Sequence, residues 1–308
     1  MINRILIRLK IVQLLYAYYQ NGDKSIDSAV KELRFSLSKA YDLYNLLLLL
    51  MVKVTQYALD EVEKKENYNK ITHTDEVVSR KFVDNAFIMQ LERNKQLKEY
   101  VESHKLDWSG ADDYLKYLYG LIIESDYYKE YILTEKSDYA EDRELWRRIY
   151  RFIIMKDEKI DEVLEDMSLY WNDDKEIVDT FVLKTIKRFE KANGSNQELV
   201  EEYKDDEDME YAERLFRKTI IDADQFRMMI SQNTRNWEFD RLAYMDVVIM
   251  QVALCEMLNF PNIPVSVTIN EYVEIAKCYS TPKSGGYVNG LLDHIAHWLR
   301  DNRMITKA

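Results

Sequence analysis

No proline occurs before Pro261. A chain of 308 residues that runs for 260 without proline and holds only seven glycines lacks the punctuation that sheets and tight turns need, so it is suited to long helices. The apolar pattern agrees. Val30, Leu33, Leu37, Tyr41, Tyr44, Leu48, Met51 and Val52 recur at three and four residues, and they predict a helix capped by Ser25 or Asp27 and running to about Glu66. Hydrophobic residues make up 47% of the chain, ample for a core, and the expected fold class is all-α.

Ahead of that helix, residues 2–20 predict another, ended by Asn21-Gly22. Behind it a polar break at 67–75 leads to a charged helix at about 76–104. Asp107-Trp108-Ser109-Gly110 is the next break, followed by helical stretches at 113–134, 141–170 and 174–191. Ala192-Asn193-Gly194-Ser195-Asn196 is the best linker candidate, and the acidic run 198–213 reads as a solvated helix start.

The tightest specification lies in residues 236–295. Between Asp246 and Phe260 only Asp246, Gln251, Glu256 and Asn259 are plainly polar, which marks a central helix packed on most of its circumference. Phe260-Pro261-Asn262-Ile263-Pro264 ends it. A new helix is predicted from Thr268, where Thr268-Ile269-Asn270-Glu271 fits a capping box, to Ser280-Thr281-Pro282. The last helix follows Ser284-Gly285-Gly286, with Val288, Leu291, Leu292, Ile295 and Leu299 on one face; Gly290 within it reads as a site of close helix packing.

Catalytic chemistry finds little to use. The chain has no Walker-type loop, no dinucleotide glycine fingerprint and no nucleophile elbow. His294 and His297 share a helix face without further ligands nearby, and Cys255 and Cys278 are too few for a disulfide framework or a four-ligand zinc site. No enzyme activity, cofactor or metal is expected. A reduced, cytoplasmic setting suits the two cysteines, and neither an export signal nor a membrane span is read from the pattern. The net charge of -12 argues against general nucleic-acid binding. Yet Arg4, Arg8 and Lys10 all precede the first acidic residue, Asp23. The tyrosines at 114, 117, 119, 127, 128 and 131 lie among acidic residues, so they read as helix contacts rather than as a base-stacking platform.

Several of these elements occur together in a known order. Trp237, Arg241-Leu242-Ala243, Asp246, Ile249, Ala253-Leu254-Cys255-Glu256, Ile263-Pro264 with Val267, Ile269-Asn270-Glu271, Ala276-Lys277 and Val288-Asn289-Gly290 with Leu292-Asp293 resemble the C-terminal half of the NusB family of bacterial transcription antitermination factors. Arg8, Gln13 and Leu15-Tyr16 resemble the opening motif of the same family. Met250-Gln251, Tyr272 and Gly286-Tyr287 depart from its usual residues without disturbing the helical register.

The resemblance implies a NusB-like fold of two packed helical subdomains: N-terminal helices in 1–74, a helical insertion in 75–195 and a C-terminal domain in 196–308. It implies binding of boxA-type single-stranded leader RNA jointly with NusE, the ribosomal protein that doubles as a Nus factor, alongside other Nus factors and RNA polymerase, in support of ribosomal RNA transcription. Arg4, Arg8 and Lys10 would meet phosphates, and Gln13, Tyr16 and Asn262 would lie near bases. The acidic insertion is expected to supply no RNA contact, and no membrane partner is implied. The rival readings are a structural protein-interaction module and a NusB-like accessory domain of an RNA methyltransferase system.

Overall fold

The computed structural model describes residues 1–22, 25–74, 77–134, 138–234 and 242–306. Its helices are α1 (Arg4–Asn21), α2 (Ile26–Thr72), α3 (Ala86–Glu92), α4 (Lys95–His104), α5 (Asp112–Glu124), α6 (Asp126–Leu133) and α7 (Tyr139–Phe152). They continue as α8 (Glu158–Met167), α9 (Lys175–Arg188), α10 (Asp206–Ile221), α11 (Ala223–Asn233), α12 (Tyr244–Asn259), α13 (Val265–Tyr279) and α14 (Ser284–Asp301). Short 3-10 turns occupy Ile154–Lys156, Leu169–Trp171 and Lys191–Asn196. Among the described residues there is no strand, and the fold is all-α. Trp237 and Arg241, two residues of the family pattern, lie outside the described residues.

The chain forms two compact units. One contains Met1 and Ser38–Glu202, the other Ile2–Leu37 and Tyr203–Ala308, so α2 contributes to both. Asn3 caps α1 through its side-chain oxygen, which accepts from the Leu6 N–H at 2.9 Å, and Gly22 ends it with φ +53°. Of the two candidate caps for α2, Ser25 performs the role: its hydroxyl accepts from the Ser28 N–H at 3.2 Å. The helix then runs to Thr72, past Glu66. Polar residues alone do not stop a helix, and no proline or glycine intervenes before His73 turns left-handed at φ 54°. This is the one described helix long and apolar enough to cross a membrane, and 72% of its apolar window is buried inside the protein.

In the 38–202 unit the expected long helices are broken by side-chain caps. The stretch 76–104 divides because Asn85 accepts from the Phe87 and Ile88 N–H groups, both at 3.1 Å, and Asn94 accepts from Leu97 N–H at 3.0 Å. Ser125 splits 113–134 and Asp157 splits 141–170 by the same device. The core holds Trp108, Trp146, Tyr44, Tyr150, Phe82 and Phe189. Tyr150 donates to Asp179 at 2.6 Å and the Trp108 indole donates to the Leu46 carbonyl at 3.0 Å, whereas the buried Trp146 indole N–H has no such partner among the described residues. Tyr114 and Tyr131 are buried, as helix contacts would be. The segment 192–196 is not an open linker. It belongs to a 3-10 turn held by Gln90, whose amide donates to the Glu190 and Gly194 carbonyls at 3.0 and 2.9 Å.

In the other unit α12 is central, buried at every residue from Asp246 to Met257 and packed by α1, α10, α11, α13 and α14. The four polar residues of its predicted apolar stretch each have a distinct use. The Asp246 carboxylate accepts from the Ser284 hydroxyl at 2.8 Å and so ties α12 to the first residue of α14; Gln251 donates to the Ala223 carbonyl at 3.1 Å. Asn259 donates to the Cys255 carbonyl at 2.9 Å, and Glu256 anchors the site described below. α13 starts at Val265, not Thr268, because Pro264 already occupies the cap position with φ -60°, ready for the helix that follows. Close approach of α13 and α14 occurs at Gly285, where a Cβ would stand 2.7 Å from Lys277 Cγ; Gly290 faces open space.

Leu254 is fully buried on α12. Leu254→Ala is expected to destabilise the protein by about 2–5 kcal/mol, read as a lowered denaturation midpoint. An unchanged midpoint would move the core elsewhere.

Candidate nucleic-acid interface

Glu256 would be prohibitive on a helix as apolar as α12 without a partner, since burying an isolated carboxylate is costly. The partner is Arg8. Its Nε lies 2.9 Å from Glu256 Oε2 and its Nη2 3.1 Å from Oε1, a two-point pair with side chains 4% and 0% exposed. The remaining lone pairs of the carboxylate are also used. Thr268 donates to Oε1 at 2.7 Å, Tyr272 donates to Oε2 at 3.4 Å, and the Tyr211 hydroxyl donates to Oε2. Thr268, read in the sequence as a helix cap, instead belongs to this network. Glu271 stands 3.7 Å from the Arg8 guanidinium.

The electrostatics follow from burial and proximity. Burial opposes the charge of Arg8, but the Glu256 hydrogen bond and the neighbouring Tyr211 and Glu256 charges outweigh it and hold its pKa above the usual arginine value. For Tyr211 and Tyr272, burial first and the Glu256 charge next push the phenol pKa well above its ordinary value.

At the edge of this network two cations cover two rings, the buried Tyr211 and the half-buried Phe260. Arg4 stacks over Tyr211 with 5.0 Å from its guanidinium carbon to the ring centre, and Tyr211 meets Phe260 edge-on at 5.0 Å. Arg214, which is exposed, covers Phe260 from 5.0 Å and donates to the Asn259 carbonyl at 3.0 Å. Arg4 is 41% exposed and lies 3.5 Å from Asp208. Asn262, two residues beyond Phe260, is exposed. Further along α1, Gln13 and Tyr16 are half-buried; the Gln13 amide donates to the Tyr279 hydroxyl at 3.5 Å, and Tyr16 meets Tyr244 edge-on at 5.5 Å. At 1.5 Å per residue, Arg4 and Tyr16 stand about 18 Å apart along the helix.

Of the six residues expected to touch RNA, Arg4 and Asn262 thus present side chains to solvent, and Gln13 and Tyr16 do so in part. Arg8 and Lys10 differ: each is 3% exposed, and Arg8 spends its guanidinium on Glu256. A phosphate cannot reach Arg8 without breaking that pair. The expectation rested on cationic residue type near the N-terminus, which does not say that α1 buries most of its circumference. Tyr211 and Arg214 were not singled out from the sequence, whereas the turn that begins at Phe260 was expected on the RNA side by resemblance. The signal available was Glu256, a carboxylate in an apolar helix that requires a cation and hydroxyl donors from other elements.

His294 and His297 are exposed on α14, and among the described residues no group of three or more histidine, cysteine or acidic side chains is placed to hold a metal ion.

Comparison with known proteins places this arrangement. The NusB family model matches residues 177–297, which include Tyr211, Glu256, Asn262, Thr268 and Tyr272. The Transcription antitermination protein NusB of Salinibacter ruber is 33% identical over 132 residues, 41% of this chain and 82% of that protein. The chain belongs to the NusB family. Its relative in Geotalea daltonii, of the same name, is 33% identical over 135 residues, 44% of this chain and 90% of that protein. In Natranaerobius thermophilus the relative is 39% identical over 94 residues, 30% of this chain and 68% of that protein. A solved structure of T. maritima NusB aligns at 29% identity over 49% of this chain and 90% of that one, with a TM-score of 0.29. Arg4 to Tyr16 lie outside the residues matched by the NusB family model, so that match reaches the Glu256 side of the site and not its α1 side.

Two outcomes follow from the buried network. Arg8→Met leaves Glu256 buried without its cation and is expected to cost about 3–5 kcal/mol; adding Glu256→Gln removes the stranded charge and should restore part of that loss in denaturant unfolding. A double variant no more stable than Arg8→Met would show that the pair is not coupled. The second outcome concerns alkaline pH. Unfolded tyrosines ionise near pH 10, whereas Tyr211 and Tyr272 stay protonated in the folded protein. Their contribution is therefore complete below that pH, and stability falls as pH rises through and beyond it, because the unfolded state then releases protons the folded state retains. Phenolate absorbance should rise in two phases, the later one coinciding with loss of helical circular dichroism.

Proposed function

We propose that this chain is an RNA-binding transcription antitermination factor, acting in the cytoplasm and taking boxA-type single-stranded RNA together with NusE. Family membership carries the reading, since the relatives above are named transcription antitermination proteins. What supports it in the geometry is the pair of solvent-reaching cations Arg4 and Arg214, held over the rings of Tyr211 and Phe260, which offer charge to the phosphates of single-stranded RNA. Arg4, Gln13, Tyr16 and Asn262 form the contact face in this proposal. Arg8 supports it from beneath by fixing α1 to α12, and Lys10 is buried. In this proposal N-terminal helices lie in 1–74, a C-terminal domain in 196–308 and an insertion relative to shorter members in 75–195, of which residues 177–195 fall within the NusB family match.

The net charge of -12 makes RNA binding by the chain alone weak, because counterion release rewards only the few phosphates that meet a cation. NusE, by sharing the contact surface, should tighten it, and linkage then requires RNA to tighten NusE binding by the same factor. Recruitment to RNA polymerase with other Nus factors would follow from that ternary complex.

The test is a titration of labelled boxA RNA with the full chain, with and without purified NusE, at several salt concentrations. Arg4→Ala should flatten the dependence of log affinity on log salt by about 0.7, the value of one single-strand phosphate contact. Tyr16→Ala should weaken binding with little change in slope if its ring stacks on a base. Failure to bind RNA under either condition would exclude this function and favour a protein-interaction module.

A further inference from the structure

The acidity of the 38–202 unit is not evenly spread. Lys184, Lys187 and Arg188 end α9, Lys191 opens the turn after it, and Glu190 is the one acid between them. All four cations are exposed. Lys184, Lys187 and Arg188 form one wall of a recess of about 770 Å³ that Asn193 and Asn196 also line. Glu190 and Glu198 line the same recess and offset part of its attraction for anions, which leaves Lys184, Lys187 and Arg188 as the groups able to pair with an anionic ligand. Among the described residues none of the three wall cations is taken up in an ion pair.

A bland account exists for basic residues here, because lysine and arginine in a last turn offset the helix dipole and bond its free carbonyls. That work is already done by another residue. Arg143, on α7, donates to the Phe189 carbonyl at 2.6 Å and to the Lys187 carbonyl at 3.4 Å. The turn beyond is fixed with equal care. Gln197 accepts from the Glu190 N–H and from the Asn193 amide, both at 2.9 Å, while Asn94 donates to the Gln197 carbonyl at 2.7 Å. With Gln90 on the Glu190 and Gly194 carbonyls, the backbone of the recess is held from inside and its cations are left pointing outward.

We propose that this recess is a second contact for single-stranded RNA, one that grips the phosphodiester backbone through Lys184, Lys187 and Arg188 and reads no sequence. The wall carries charge and carboxamides but no aromatic ring, so it can pair with phosphates and ribose hydroxyls and offers bases nothing to stack on. A volume of about 770 Å³ accommodates a nucleotide-sized stretch rather than a single ion. The proposal rests on the RNA-binding reading above, and it differs from the expectation that the acidic insertion contributes nothing to RNA. The average charge of a segment does not set the potential at one concave face of it.

The experiment uses the full chain and a labelled single-stranded RNA of boxA sequence extended by a flanking tail, titrated at several salt concentrations. K184Q/K187Q/R188Q should weaken binding and lower the salt slope by about 2, at about 0.7 for each phosphate that no longer meets a cation. Its melting temperature should be retained, since all three side chains are exposed. The charge-preserving K184R/K187R/R188K should keep the wild-type slope. A glutamine variant with the wild-type slope, alongside an Arg4→Ala variant whose slope falls, overturns the recess contact and leaves RNA binding at α1 standing. A wild-type chain that binds no RNA, with or without NusE, removes both.

Discussion

One buried ion pair organises the unit built from Ile2–Leu37 and Tyr203–Ala308. Glu256 sits in the most apolar helix of that unit, and such a carboxylate is tolerable only when every lone pair is answered. Arg8 supplies the opposing charge from α1, Tyr211 a hydroxyl from α10, and Thr268 and Tyr272 two more from α13. Four helices are thereby brought to a common point, with α12 at the centre. A buried pair of this sort adds little net stability over an apolar substitute, so its main effect is on register. Apolar contacts would let α1 slide or rotate on α12, whereas a two-point guanidinium–carboxylate pair permits one alignment.

That alignment decides what α1 shows to solvent. With Arg8 turned inward, Arg4 lies one turn away at the edge, where it reaches the Tyr211 ring, and Gln13 and Tyr16 fall beside Tyr279 and Tyr244. Tyr211 has a double role. Its hydroxyl answers Glu256 while its ring carries Arg4 and meets Phe260, so the buried network and the surface above it share a side chain. Disturbing the pair would therefore misplace the proposed contact face even though Arg8 itself touches no ligand.

Beyond the long α2, the 38–202 unit solves a different problem, how to fold a proline-free stretch into short helices. Asn85, Asn94, Ser125 and Asp157 each turn a side-chain oxygen back on the next helix's N–H groups, and the chain bends there. The buried tyrosines and tryptophans then close the space between the short helices, with the tips of Tyr114, Tyr150 and Trp108 bonded to carboxylates and a carbonyl. The same habit of internal bonding holds the turn after α9, while the lysines and arginine that end α9 stay exposed.

Periodicity and the scarcity of proline were enough to establish an all-α chain, the central position of Asp246–Phe260 and the stop at Asn21-Gly22, while the order of motifs carried the resemblance to the family. These are local or near-local properties: a helix stripe is written in residues three and four apart, and Pro261 and Gly22 act on their own neighbours. Helix breaks at Asn85, Asn94 and Asp157 were missed because a polar residue caps a helix or decorates its surface according to whether burial forces it to find a partner. The tertiary structure alone decided that Arg8 is an anchor, that Arg4 and Arg214 flank one aromatic pair, and that Thr268 serves Glu256 rather than starting a helix. Each of those outcomes depends on residues distant in sequence meeting in or at the edge of the buried network around Glu256. There the demand of a buried charge for a partner overrides what residue type and local spacing suggest.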